Sequence, residues 1–180
     1  MNRRDTLSLL SLTTLAAPTL ALAATESAAA PAGIRIPKAE LLYECDVTLG
    51  ETLAFGATPE GTRRIIPITG GSFRGPGMSG VVVPGGADWN LSRSDGASLV
   101  EASYYLKTDD GVMLRITNRG VGAPAGRQPE GDEPFFMFTT PSFEAPAGKY
   151  AWLAQSVFIG TLGAHRNAKN AVLIRVFRIV

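Results

Sequence analysis

The sequence predicts an all-β domain, a single closed or nearly closed antiparallel β-barrel of about 8–10 strands. Three observations predict it. Residues 40–49, ELLYECDVTL, alternate with period two. Leu41, Tyr43, Cys45, Val47 and Leu49 fall on one face, and Glu40, Glu44, Asp46 and Thr48 join Leu42 on the other, which marks a half-buried strand. Short apolar segments then recur between the turn signals TPEG, TGG, RGPG, PGG, SDG, DDG and APAG. No sustained helical period follows residue 23. Strands at this density, with no helices between them, build a sandwich or a barrel, and closure leaves no long edge exposed.

The elements follow in chain order. Residues 1–23 carry a short basic start, an apolar run over 7–23 and the small-x-small end Ala21-Leu22-Ala23. This pattern predicts a cleaved signal peptide and an exported, periplasmic or secreted protein. The apolar run is shorter than a spanning helix needs and contains Pro18, so stable membrane insertion after cleavage is not expected. Arg3-Arg4 with Leu7 resembles a twin-arginine signal, although Thr6 and Asn2 depart from it and the general secretory route stays open. Residues 24–39 read as a flexible linker, Ala-rich and punctuated by Pro31, Gly33 and Pro37. The barrel domain spans 40–180, with further strands expected at 52–58, 62–69, 72–74, 78–83, 87–92, 98–107, 112–118, 134–143, 151–160 and 171–180. Asp110-Gly111 predicts a two-residue hairpin turn. Residues 119–133 form the one long polar interruption, a surface loop or a flap over a barrel end.

Charge and residue counts narrow the function. Without Arg3, Arg4 and Asp5 the chain holds fifteen residues of each sign. It offers no electrostatic footprint for nucleic acid or an anionic membrane. Cys45 is the single cysteine, so no intrachain disulfide forms, and its place on the apolar face predicts an inert buried thiol. His165 is the single histidine, expected exposed in the polar loop TLGAHRNAKN, with an acid–base role open if that loop folds over a barrel end. No metal site or cofactor is expected: ligand spacing, a dinucleotide fingerprint and a nucleophile elbow are all missing from the sequence. A homo-oligomer is compatible with it.

Glycines crowd residues 70–96, GGSFRGPGMSGVVVPGGADWNLSRSDG. Within strands they mark bulges, barrel corners or close backbone approach. A phosphate-cradling loop would need a following helix and a lysine, and neither is there. GGSFRGPGMSGVVVPGGADW, with DG, YYLKTDDGVMLRITNRG, TTPSFEA and YAWLAQSVFIG, resembles the DUF3237 family, also called UPF0311, over roughly residues 41–180. The resemblance implies a compact lipocalin-like β-barrel and no established activity. Members typically read Asp-Ala-Arg-Tyr where this chain has Glu101-Ala102-Ser103-Tyr104. They carry an arginine where it has Phe138, and Trp-Leu-Asn where it has Trp152-Leu153-Ala154. If those positions line the family's pocket, this pocket is greasier and holds an anion less well.

The candidate site residues follow. Asp88 and Asn90 share a strand face and alternate with Trp89 and Leu91. Asp88 either acts as a general acid or base beside the indole, or accepts N–H groups from the Gly85-Gly86 turn. Asp95 reads as a turn residue. Glu101 shares a face with Ser103 and Tyr105 and needs an arginine partner if it points inward, with Arg74 or Arg115 the candidates. Trp89, Trp152, Tyr104, Tyr105, Phe136 and Phe158 form either an aromatic cup or ordinary core. The leading expectation is an interior that binds a small, partly apolar or aromatic organic molecule, lined by Arg74, Asp88, Trp89, Glu101, Tyr105, Arg115 and Trp152. The enzyme alternative is a cofactor-independent lyase, isomerase or hydrolase with Asp88 or Glu101 as general base. The third reading is a structural or assembly protein with a filled barrel.

Overall fold

Among the described residues, nine strands form one antiparallel sheet: β1 (Ala39–Leu49), β2 (Leu53–Thr58), β3 (Gly61–Gly75), β4 (Met78–Arg93), β5 (Ser98–Thr108), β6 (Met113–Gly122), β7 (Met137–Glu144), β8 (Phe158–Ala164) and β9 (Ala171–Ile179). The computed structural model describes residues 33–122, 137–165 and 167–180, and residues 37–180 pack as one unit. The strand order is β1-β9-β8-β7-β6-β5-β4-β3, and β3 returns to β1, from Glu44↔Arg74 to Leu49↔Ile68. Eight strands therefore close a barrel. β2 stands outside the ring on the first half of β3, from Leu53↔Ile65 to Thr58↔Gly61. The signal-peptide and linker expectations up to residue 32, most of the polar interruption, and Phe136 lie outside the described residues.

Alternation decides what faces the lumen. On β5 the even residues Val100, Ala102, Tyr104, Leu106 and Thr108 are buried, while Glu101, Tyr105 and Lys107 are exposed. Tyr43, Tyr104, Leu106, Leu114, Ile116 and Val176 are each at most 1% exposed. Burying each contributes about 1.5–3 kcal/mol relative to exposure. Cys45 is wholly buried among them, and that burial pushes its thiol well above the usual range.

The glycine-rich stretch is the barrel corner. The β3–β4 ladder jumps from Ile68↔Gly86 to Ser72↔Val81, and the β4–β5 ladder from Val83↔Tyr105 to Ala87↔Ser103. Pro84, Gly85 and Gly86 thus stand opposite Tyr104 alone, a bulge that bends β4. The segments expected at 62–69 and 72–74 are consequently one bent strand, as are those at 78–83 and 87–92. Gly71 has φ +136°, and a side chain there would overlap the Asp46 carbonyl on β1.

Two sequence expectations are corrected. The Asp-Gly connection is a three-residue loop. Gly111 N–H donates to the Thr108 carbonyl at 2.8 Å, Thr108 N–H donates to Val112 at 3.0 Å, and Gly111 takes φ +86°. Residues 151–160 are not one strand. Ala151–Gln155 coil into a 3-10 turn, closed by Ser156 Oγ donating to the Trp152 carbonyl, before β8 begins. Among the described residues the β7–β8 ladder has three pairs, from Met137↔Leu162 to Thr139↔Gly160, and it does not continue past Thr139. Beyond them the connecting segment adds Tyr150 and Leu153 to the core.

A polar latch ties the β5–β6 loop to this segment. Asp110 accepts from Lys149 Nζ at 2.8 Å, Thr108 Oγ1 at 2.5 Å and the Tyr150 hydroxyl at 3.1 Å. The Lys149 bond, then the others, holds its carboxyl down at about 2. A carboxyl depressed on folding stabilises above its unfolded pKa of about 3.9 and loses that contribution as pH falls through the folded value. Asp110→Asn should lower Tm slightly at pH 7, and the difference from wild type should close between about pH 4 and pH 2 in thermal scans. Gly71→Ala should cost about 2 kcal/mol or more in urea unfolding. Gly85→Ala, at φ +111° with nothing within 4 Å of the added carbon, should cost only about 1 kcal/mol.

Candidate functional site

Regular pairing sets outward residues in rows across the strands. Glu101 lies directly opposite Arg119 on β6, and Arg119 opposite Thr140 on β7. The row beside it runs Leu99↔Val121 across β5 and β6, and Phe138↔Thr161 across β7 and β8. Between these rows a groove of about 450 Å³ opens on the outer face of the barrel. Its walls are Leu99, Val121, Phe138 and Ile159, its floor includes Gly120 and Thr139, and Glu101 and Arg119 stand within it. Val121 and Phe138 are 61% and 59% exposed.

The Glu101–Arg119 pair is one-sided. Arg119 Nη2 and Nε both donate to Glu101 Oε1, at 2.7 and 3.2 Å. Oε2 has no hydrogen-bond donor among the described residues. Both side chains are about half exposed or more. An exposed cross-strand pair of this kind contributes only about 0.2–1 kcal/mol, so a ligand can displace either partner at small cost. The partner is Arg119, not the expected Arg115 or Arg74. Arg115, four residues earlier on β6, bonds Glu144 at 2.5 Å. Arg74 lies two strands away on β3, between Glu44 and Ser79.

Asp88 sits in the wall between β4 and β5. Ladder pairs run Ala87↔Ser103 and Asp88↔Ala102, then resume only at Leu91↔Leu99. In that gap Asp88 Oδ1 accepts Glu101 N–H at 2.9 Å and Oδ2 accepts Asn90 Nδ2 at 3.3 Å. Asn90 Oδ1 in turn accepts Arg64 Nε at 2.8 Å, and the Trp89 carbonyl accepts Arg63 Nη1 at 3.2 Å. Burial raises the Asp88 carboxyl above the usual range, against the opposing pull of these donors. Its donors come from Glu101 and Asn90 rather than from the Gly85-Gly86 turn. Trp89, its neighbour in sequence, points to the opposite face and is 41% exposed, so it forms no apolar wall for Asp88.

The remaining candidates disperse. Tyr105 is exposed on the outer face of β5. Trp152 leans on Phe158 at 6.3 Å, and the Arg178 guanidinium stands 4.8 Å over its ring. Tyr104 and Phe158 are core, so the aromatic residues do not make one cup. Asp95 is a turn residue: it accepts Ala97 N–H and pairs with Arg93. His165 is not free in its loop. Nε2 lies 3.3 Å from Asp46 Oδ1 on the outer face of β1, and Nδ1 accepts Asn167 N–H at 3.1 Å. Arg119, Val121 and Ile159 went unnoticed in the sequence. The first two sit at the edge of the polar interruption, and their signal was the outward parity that Glu101 had already set.

The three departures noted above also separate. Phe138 lines the groove. Ser103 shares its outer face, 3.5 Å from Arg115 Nη2, and Ala154 lies in the 3-10 turn.

Comparison with known proteins agrees with this architecture. The chain is 34% identical over 154 residues to a UPF0311 protein of Rhodopseudomonas palustris strain TIE-1, covering 80% of this chain and 99% of the relative. A β-barrel-like protein from Acinetobacter baumannii superposes with a TM-score of 0.70 at 29% identity, over 83% of this chain and all of that one. A more distant relative, 25% identical over 125 residues, is a hydroalkoxylation enzyme of Penicillium herquei, with 69% of this chain and 74% of the enzyme covered. Residues 37–179 match the model of the protein family of unknown function DUF3237, and the chain belongs to that family.

Proposed function

We propose that the chain is exported and binds a small, partly aromatic organic molecule in the groove across β5, β6, β7 and β8. The observation that carries this reading is the groove itself: an apolar wall around a replaceable ion pair, in a volume of about 450 Å³. Small-molecule sites are mostly apolar with a few polar groups and span about 300–1,000 Å³. Covering the exposed parts of Val121 and Phe138 would contribute about 2 kcal/mol together. Glu101 Oε2 would accept a ligand hydroxyl or amine, and Arg119 would meet an acceptor.

The likeness to a hydroalkoxylation enzyme favours a second reading, a cofactor-independent addition. In such a reaction an O–H bond adds across C=C: the oxygen bonds one carbon and the proton ends on the other. A base must take the hydroxyl proton, and an acid must return one to carbon. Glu101 suits that base better than Asp88, because both Asp88 oxygens already hold protein donors. Arg119 would stabilise the oxyanion.

Titration with a panel of phenols and naphthols, followed by calorimetry, checks binding. Phe138→Ala should weaken affinity about tenfold or more, and millimolar probes that show no heat would rule the groove out. Under the second reading Glu101→Gln should abolish turnover while binding stays within a few fold. Export is checked by fractionating cells that express the full chain. The protein should be periplasmic or secreted, and replacing Arg3 and Arg4 by lysine should block export only on the twin-arginine route.

A further inference from the structure

The β4–β5 ladder is interrupted although its register is not. Asp88↔Ala102 and Leu91↔Leu99 keep the same offset, so counting inward from both sets Trp89 opposite Glu101 and Asn90 opposite Val100. Neither of these pairs joins the ladder. Both halves of the missing contact have gone to side chains. The Glu101 N–H donates to Asp88 Oδ1 at 2.9 Å, and the Trp89 carbonyl accepts Arg63 Nη1 at 3.2 Å. A carboxylate from β4 and a guanidinium from β3 thus take up the donor and the acceptor that would otherwise face each other across the seam.

A chain of bonds fixes the carboxylate. Asp88 Oδ2 accepts Asn90 Nδ2 at 3.3 Å, and Asn90 Oδ1 accepts Arg64 Nε at 2.8 Å. The relay starts at Arg64 on β3, crosses β4 and ends on the backbone of Glu101, whose side chain stands in the groove. The arrangement weakens the fold. Burial, the largest influence, raises the Asp88 carboxyl; the Glu101 N–H, Asn90 and Arg64 oppose it, and the Glu101 charge adds to the rise. Arg64 on β3 and Glu101 on β5 are the charged groups that act on it among the described residues. A carboxyl raised on folding leaves stability intact while it is protonated and subtracts from it as pH rises through the folded value. At neutral pH Asp88 therefore destabilises the wall relative to a neutral side chain, whereas a ladder bond would satisfy the same N–H without ionisation. Locally unfavourable arrangements of this kind cluster at functional sites.

On the groove reading proposed above, we infer that Asp88 is a positioning residue: it holds the Glu101 backbone off the Trp89 carbonyl and so sets where the Glu101 carboxylate meets Arg119 and a bound hydroxyl. Asp88 touches no ligand itself. It acts in the same way whether Glu101 accepts a ligand hydroxyl or takes its proton. Without it the Glu101 N–H is free to pair with the Trp89 carbonyl, which draws Glu101 towards β4. A displacement of about 1 Å at a reacting group is enough to cost about a hundredfold in rate.

Asp88→Asn and Asp88→Ala separate positioning from support of the wall. Both should weaken binding of 2-naphthol about tenfold in calorimetry, with Tm at neutral pH equal to wild type or above it. Unchanged affinity overturns the proposal. So does a Tm lower by more than about 3 °C in both variants, because loss of the wall then explains the weaker binding. A second measurement needs no ligand. In Glu101→Gln, residue 101 no longer titrates, so its amide proton followed by NMR reports on Asp88. That resonance should shift with pH about a midpoint above that of an unperturbed aspartate, and the shift should vanish in the Glu101→Gln/Asp88→Asn double variant. An amide that ignores pH overturns the hold of Asp88 on residue 101. Wild type that binds no 2-naphthol while the amide still titrates overturns the groove reading alone and upholds the hold on Glu101.

Discussion

Closing the sheet depends on β3 serving two partners in turn. Its first half pairs with β2 and its second half with β1, while β4 follows nearly its whole length. The switch falls between Ile65 and Ile68, and just beyond it, at residues 69–71, the β3–β4 ladder breaks and Gly71 brings its backbone against the Asp46 carbonyl. Without the β1–β3 ladder both strands would present open edges. The inward row through Tyr43, Cys45 and Val47 would then meet water. Barrel closure, the buried thiol and the inward phenols all follow from that one tolerated backbone approach.

Period-two alternation made most of the wall legible in the sequence. β5 follows it residue by residue and β1 does so from Tyr43 to Val47, whereas a bulge between Leu41 and Tyr43 exposes Leu41 and buries Leu42, reversing the expected faces there; the glycine clusters fall at the corner where bulges were expected. Partners were not legible, because register depends on loop geometry that one letter can alter. A two-residue turn at Asp110-Gly111 would set Glu101 opposite Gly120. The three-residue loop that forms sets it opposite Arg119. A slip of one residue moves every side chain of a strand to the other face, so the groove hangs on Gly111 entering the left-handed region.

The segment 151–160 shows a different limit. AWLAQSVFIG is apolar enough for a buried strand, and nothing in its letters announces a coil. The reason lies in the partner: β7 and β8 are no longer paired beyond Thr139↔Gly160 and splay there. Burying Leu153 and Tyr150 in that opening fills it better than extending a ladder would. Long-range geometry here overrides local preference, as it often does for short apolar runs.

A barrel wall divides its polar groups into two populations with different energetics. Outside, Glu101 and Arg119 are solvated, and their mutual attraction contributes about 0.2–1 kcal/mol. Inside, Asn118 Oδ1 and Thr139 Oγ1 are buried without a hydrogen-bond partner among the described residues, and each carries about 1–3 kcal/mol of lost solvation. A molecule in the groove therefore competes with a weak pair and with water, and exchanges easily. Because neighbouring residues face opposite ways, Glu101 and Ala102 serve different sides, as do Asp88 and Trp89. A contiguous motif in this chain thus describes two environments, and no substitution series along it reports on a single site.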